Sequence, residues 1–182
     1  LTRSYNSESL LGDITADSIY FSAVSKGEAP DFAVTNGGGI RTDLEKGDIT
    51  QKDVIATSPF PNILVVFTLS GKEVTEMFEH SAGLTNAILQ VSHGIVMEYD
   101  PKKETGKRLT KLELNGQKID PDKKYRVATN EFLANGGDGF TQFLSGTERT
   151  DINGYMMYSA IMDYLRYKKT VSPKLEGRVI SK

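Results

Sequence analysis

The segment Asn36-Gly37-Gly38-Gly39-Ile40-Arg41 puts an amide, three consecutive glycines and a guanidinium within six residues. A glycine run leaves the main chain without side-chain cover, free to take positive φ and to let a ligand approach backbone N–H groups closely. The apolar run Phe32-Ala33-Val34-Thr35 before it reads as a buried strand. A strand that ends in a glycine turn flanked by Asn and Arg suits an anion or a nucleotide; the same residues also suit a tight turn carrying a surface arginine. A second segment, Asn130 to Phe140, follows a strand predicted over Tyr125 to Thr129. It again mixes Asn with glycines and adds Asp138 and the aromatics Phe132 and Phe140. Between the two lies Ser58-Pro59-Phe60-Pro61-Asn62, a rigid turn that presents another ring.

Each of these side chains has a definite chemical capacity. Arg41 can hold a phosphate or carboxylate with two parallel hydrogen bonds. Asn36 can donate and accept toward a ribose or a base edge, and Asp138 can accept two hydrogen bonds from ribose hydroxyls. Phe60 and Phe132 offer two π faces for a planar base. Taken singly, each phenylalanine reads as core packing; two of them beside polar glycine loops read as a stacking surface.

Composition bounds the remaining classes. A chain of 182 residues suits one domain with a sizeable core. Its 22 basic and 24 acidic residues give a formal charge of −2, without the basic excess of a polymeric nucleic-acid binder. No apolar run approaches transmembrane length, and no signal-peptide pattern opens the sequence. The absence of cysteine excludes disulfides and thiol chemistry and leaves the compartment open. The first residue is Leu1 rather than Met, which fits a fragment of a longer protein. The two histidines, His80 and His93, are not clustered with acidic residues, so no metal site and no catalytic residue is predicted. Both read as structural: His80 near the end of a helix, His93 just before a strand.

The elements that must position these residues follow from periodicity. Leu10, Leu11, Ile14, Phe21 and Val24 predict a helix over 9–25. Residues 31–35 form a strand, and Lys52-Asp53-Val54 is ambiguous between turn and helix. Ile63 to Leu69 is apolar and β-branched, a buried strand. Ser70-Gly71-Lys72-Glu73 matches a capping box opening a helix with Val74, Met77 and Phe78 on one face. Ile95 to Tyr99 is a strand; a charged loop, 100–107, follows it. Leu109 to Leu114 and Gln117 to Ile119 flank Asn115-Gly116, a strong hairpin signal, and Asp120-Pro121 is another turn. Tyr158, Ile161, Met162 and Leu165 define an amphipathic helix, and Gly177 to Ile180 a last short strand. Helices and strands alternate early and hairpins dominate later, so the class is mixed α/β.

The three loop segments, in this order, resemble the C-terminal domain of the 5'-nucleotidase family, secreted enzymes that hydrolyse nucleotides. The match runs through "NGGGIR", then "SPFPN" leading into "ILVVFTLSGKEVTEMFEHS", then "ATNEFLANGGDGF", with weaker similarity from "ESLLGDITAD" to the last helix. It implies a single substrate-binding domain over 1–182, with helices layered on mixed β-sheets and the three loops gathered on one surface. It also implies that Phe60 and Phe132 sandwich the base, that Asp138 binds the ribose, and that Asn36, Gly38 and Arg41 contact the substrate, with Arg41 near the phosphate. A further family arginine precedes the first helix; Arg3 is the nearby candidate, in a poorly fitting register. The family turn reads Phe-Gly-Asn where this chain has Phe60-Pro61-Asn62, so a stiffer turn and a differently aimed Phe60 ring are expected.

Family members cleave phosphate esters with two divalent metal ions and an Asp–His pair held in a separate N-terminal metallophosphatase domain. That ligand set is absent from this sequence. The chain is therefore expected to be the substrate-binding half of an extracellular, cell-surface or periplasmic hydrolase and inactive alone, with the partner domain carrying the metals and a hinge motion uniting the two. The alternatives are a stand-alone nucleotide- or nucleoside-binding module without catalysis, and a structural domain that lost the site. The sequence upstream of Leu1 separates the first two.

Overall fold

A computed structural model describes all 182 residues. It contains five α-helices and nine strands in two mixed sheets. The first helix, α1 (Leu10–Ser25), starts where Ser9 accepts a hydrogen bond from the Gly12 N–H. Strand β1 (Phe32–Asn36) follows, and α2 (Gln51–Thr57) resolves the ambiguous stretch as a helix. A reciprocal capping box between Thr50 and Asp53 opens it, with Asp in the place where Glu is usual. Next come β2 (Ile63–Ser70) and α3 (Gly71–Ser81), the latter opened by the expected box of Ser70 and Glu73. The strands β3 (Leu89–Val91), β4 (Ile95–Tyr99), β5 (Leu109–Leu114), β6 (Gln117–Lys118) and β7 (Lys124–Asn130) come before the short helix α4 (Glu131–Ala134). The chain closes with β8 (Thr147–Met156), α5 (Met157–Lys168) and β9 (Val179–Ser181).

The larger sheet has the order β3-β1-β7-β2-β8, with β1 and β7 parallel and the other pairs antiparallel. Its central strands are apolar on both faces because both faces are covered. Ala33, Leu64, Val66 and Ala128 point to α1 and α5, packing with Ile19, Ala23, Met157 and Ala160. Their neighbours Phe32, Val34, Val65, Phe67 and Val127 point the other way, onto Val74, Met77 and Phe78 of α3. The smaller sheet, β6-β5-β4-β9, closes this second core with Met97, Leu112 and Val179. The hairpin between β5 and β6 turns at Asn115 (φ 51) and Gly116 (φ 75), the double left-handed turn that Asn-Gly signals.

The register of the larger sheet brings five chain segments to one edge. β1 ends at Asn36 and its parallel neighbour β7 at Asn130. β2 begins there, antiparallel, with Leu64 opposite Asn130. β3 begins there with Leu89 opposite Asn36, and β8 ends there with Met156 opposite Ile63. Loops 37–41, 58–62, 86–88 and 131–140 and the start of α5 therefore share one rim.

A buried ion cluster ties α1 to the C-terminal segment. Arg178, only 6 % exposed, donates to both oxygens of Asp17 at 2.8 and 3.0 Å, to the Val91 carbonyl at 3.0 Å and to Glu176 at 3.0 Å. Burial works against the guanidinium charge, and Asp17, Asp13 and Glu176 outweigh it, holding its proton more tightly than in free arginine. Asp13 is the weak member. It is buried, neither carboxylate oxygen has a hydrogen-bond partner, and Arg178 Nε stands 3.9 Å away. Burial pushes its carboxyl up to about 8 against the pull of Arg178, with Glu8 and Asp17 adding like charge.

This position sets a pH dependence. A folded-state value above that of free aspartate means that the native state keeps a proton that the unfolded chain loses between roughly pH 4 and pH 8. The stabilisation is full at the acid end of that window and is lost as the pH rises through 8. Glu73, Glu98 and Glu176 are held below their ordinary values and act below about pH 4.5, outside the window. Denaturant unfolding at pH 5.5 and 8.5 should cost the wild type about 1–3 kcal/mol between the two and cost Asp13→Asn much less. Equal losses in the two proteins would contradict this role for Asp13.

Candidate functional site

The shared rim encloses a cavity of about 400 Å³, within the range of small-molecule sites. Its lining includes Asn36, Gly38, Arg41, Phe60, Phe132 and Asp138, so six of the seven residues singled out from sequence meet around one space. Arg3 does not line it: its guanidinium lies 4.4 Å above the Tyr5 ring, and its backbone N–H donates to Asp43 at 2.8 Å.

The glycine run works differently from the sequence expectation. None of Gly37, Gly38 and Gly39 takes a positive φ; together they form one 3-10 turn. The constraint is close approach. A Cβ on Gly37 would lie 2.8 Å from the Ser4 carbonyl, an immovable backbone atom, and one on Gly39 3.1 Å from Asn36 Oδ1. At Gly38 a Cβ would make only ordinary contacts of 3.6 Å. The turn delivers Arg41, whose Nη1 donates to the Gly38 carbonyl at 3.2 Å and whose guanidinium carbon lies 5.9 Å from the Phe60 ring centroid. Arg41 is exposed and forms no ion pair, so its charge remains available to an anion at the cavity mouth.

Two aromatic rings face the cavity half-uncovered, Phe60 at 41 % and Phe132 at 42 % exposure, against a chain whose other large rings are mostly buried. Phe132 lies flat on the backbone of Gly137, where a Cβ would sit 2.5–2.6 Å from three ring carbons. That glycine is therefore part of the ring's seat. Left-handed Gly136 (φ 84) and Asp138 (φ 53) flank it and turn the chain so that Asp138 faces back to the cavity.

A chain of buried amides organises the polar wall. Asn130 caps α4 by accepting from the Leu133 N–H at 3.0 Å, and its own amide donates to Thr35 Oγ1 at 3.1 Å and Asn36 Oδ1 at 3.2 Å. Asn36 in turn donates to Asp138 Oδ2 at 2.7 Å. Asn36 is thus largely committed to orienting Asp138, whose Oδ1 receives no protein donor. From sequence Asn130 is only the first residue of a glycine-rich loop; its cap on α4 and its contact with Asn36 show only in the structure, the second because β1 and β7 pair in parallel. Asn86, Asn62 and Ser58 also line the cavity and sit in stretches without any periodic signal.

The two divalent ions implied by the family resemblance do not fit this chain. No three His, Cys, Asp or Glu side chains are grouped so as to hold a metal ion. His93 pairs with Glu176 at 3.2 Å on the surface, and His80 contacts the Asp138 carbonyl. The site offers stacking faces, a carboxylate, amides and one free cation. These are groups that bind and orient.

A family model described as 5'-nucleotidase, C-terminal domain, matches residues 1–145. The trifunctional nucleotide phosphoesterase protein YfkN of Bacillus subtilis is 38% identical over 184 residues, covering 94% of this chain and 12% of that protein. An apyrase of Tabanus yao is 34% identical over 175 residues, covering 88% of this chain and 30% of its own length. The crystal structure of a 5'-nucleotidase precursor from Thermus thermophilus superimposes with a TM-score of 0.89 at 36% identity, covering 97% of this chain and 36% of that one. The chain thus spans about a third or less of these relatives. It belongs to the 5'-nucleotidase C-terminal domain family.

Proposed function

We propose that this chain is the substrate-binding and specificity domain of a 5'-nucleotidase-like phosphoric ester hydrolase. The base would lie between Phe60 and Phe132, the ribose on the free oxygen of Asp138, and the phosphate toward Arg41. One observation carries the reading: two half-exposed rings, an oriented carboxylate and an unpaired guanidinium line a single cavity of about 400 Å³. The relatives support it by name, since phosphoesterase, apyrase and 5'-nucleotidase describe proteins acting on nucleotides.

In this reading residues 1–182 are one binding unit, and an N-terminal metallophosphatase domain of the same protein supplies two divalent metal ions. Those ions would polarise the phosphate and supply the attacking oxygen. This chain's part is to hold and orient the nucleotide, which fixes the reacting group relative to the other domain. The chain alone would bind without turnover. The protein would act outside the cytoplasm, as an extracellular, cell-surface or periplasmic enzyme. No helix is long and apolar enough to cross a membrane.

The stacking role is tested by calorimetric titration with adenosine. Phe132→Ala should weaken binding by about 1–3 kcal/mol. Gly137→Ala, which removes no side chain from the cavity, should also weaken it by forcing the Phe132 ring off its seat. Unchanged affinity in both variants would remove Phe132 from the site.

Arg41 is tested by comparing AMP with adenosine. A hydrogen bond to a charged group contributes about 1.5–3 kcal/mol, so Arg41→Ala should weaken AMP about tenfold or more and leave adenosine and the melting temperature nearly unchanged. Lys at this position keeps the charge without the two-pronged geometry and should rescue only in part. Equal weakening of both ligands would make Arg41 a structural residue of the glycine turn.

A further inference from the structure

We propose that His80 is a positioning residue: it fixes the peptide between Asp138 and Gly139 and thereby aims the Asp138 carboxylate into the cavity. The inference rests on the reading of that cavity as a nucleoside site.

His80 stands in the last turn of α3, an element that contributes no residue to the cavity lining, and it reaches the site only through the Asp138 main chain. Its Nε2–H donates to the Asp138 carbonyl at 2.9 Å. The ring is locked on two sides. It stands edge-on to the buried ring of Phe140, with centroids 4.6 Å apart and an interplanar angle of 84°. It also lies against Gly139, where a Cβ would come within 3.2 Å of Cε1 and 3.3 Å of Nε2.

The peptide it grips is an unusual one. Asp138 (φ 53) and Gly139 (φ 79) are both left-handed, a conformation that glycine takes freely and aspartate takes at a cost. Such a residue persists where its surroundings over-determine it. Two holds do so here. Asn36, at the end of β1, grips the carboxylate at Oδ2, and His80, from α3, grips the main-chain carbonyl. With both in place Asp138 lines the cavity and its Oδ1 is left without a protein donor. Without His80 the carbonyl loses its partner and the residue can relax toward right-handed φ, swinging the carboxylate off line.

Two measurements on His80→Ala and His80→Gln test this; the glutamine keeps an N–H donor at a similar reach. In the ligand-free protein, ¹⁵N relaxation at the Gly139 amide and the carboxyl ¹³C resonance of Asp138 should report a looser peptide and a moved carboxylate in His80→Ala, with both restored in His80→Gln. An unchanged Gly139 amide and Asp138 resonance in His80→Ala would overturn the proposal. In titrations, the preference for adenosine over 2',3'-dideoxyadenosine should fall about fivefold in His80→Ala, with dideoxyadenosine affinity unchanged. Equal loss for both ligands would also overturn it, since His80 would then support the whole site. A wild type that binds neither nucleoside would sink the nucleoside reading of the cavity, while the relaxation result would still decide the role of His80.

Discussion

The parallel pairing of β1 with β7 brings two strand ends, and the Asn36 and Asn130 amides that terminate them, to one point. Each end opens into a glycine loop. Because the strands run the same way, the loops emerge side by side, although 94 residues separate the two asparagines. The buried bond between the amides is costly to leave unmade and has one geometry that satisfies it, so it fixes the relative height of the two loops. Antiparallel β2 and β3 then start where β1 and β7 stop, adding the Phe60 turn and Asn86 to the same rim.

Burial on both faces of the larger sheet makes this edge rigid. One core lies under α1 and α5, the other under α3 and the smaller sheet. The small residues Ala33 and Ala128 let the helices approach, while Phe32 and Phe67 fill the deeper space toward α3. The groups proposed to meet the ligand are mounted on the ends of these strands. The left-handed stretch at Asp138 is held by contacts from two different elements. Groups mounted in this way would orient a bound ligand through their scaffold.

Much of this was legible in the residues themselves. The capping box at Ser70 and Glu73, the Asn115-Gly116 turn and the apolar run of β2 carry local signals, and each forms as its signal predicts. The misses have physical reasons. β8 is a polar, largely exposed edge strand that pairs only with β2, so no alternation marks it. β3 has three residues, too few for a period. The glycine run was legible as a place of close approach but not as the reason for it, because Ser4, whose carbonyl Gly37 must clear, belongs to the segment before α1. Among the site residues, rings and charges beside glycines stand out in a sequence. Asn130 and His80 do not, since Asn130 reads as one more loop amide and His80 as an ordinary helix-end residue until their long-range contacts are known.

Amide chemical-shift mapping of the ¹⁵N-labelled chain titrated with AMP tests directly whether the rim cavity, rather than any other surface, receives a nucleotide. The predicted perturbations cluster at 36–41, 58–62, 86–87 and 130–139, the segments at the shared edge of the larger sheet. Perturbations centred instead on the cavity of about 590 Å³ beside Arg178, Asp13 and Tyr164, or no perturbation at millimolar AMP, would contradict it.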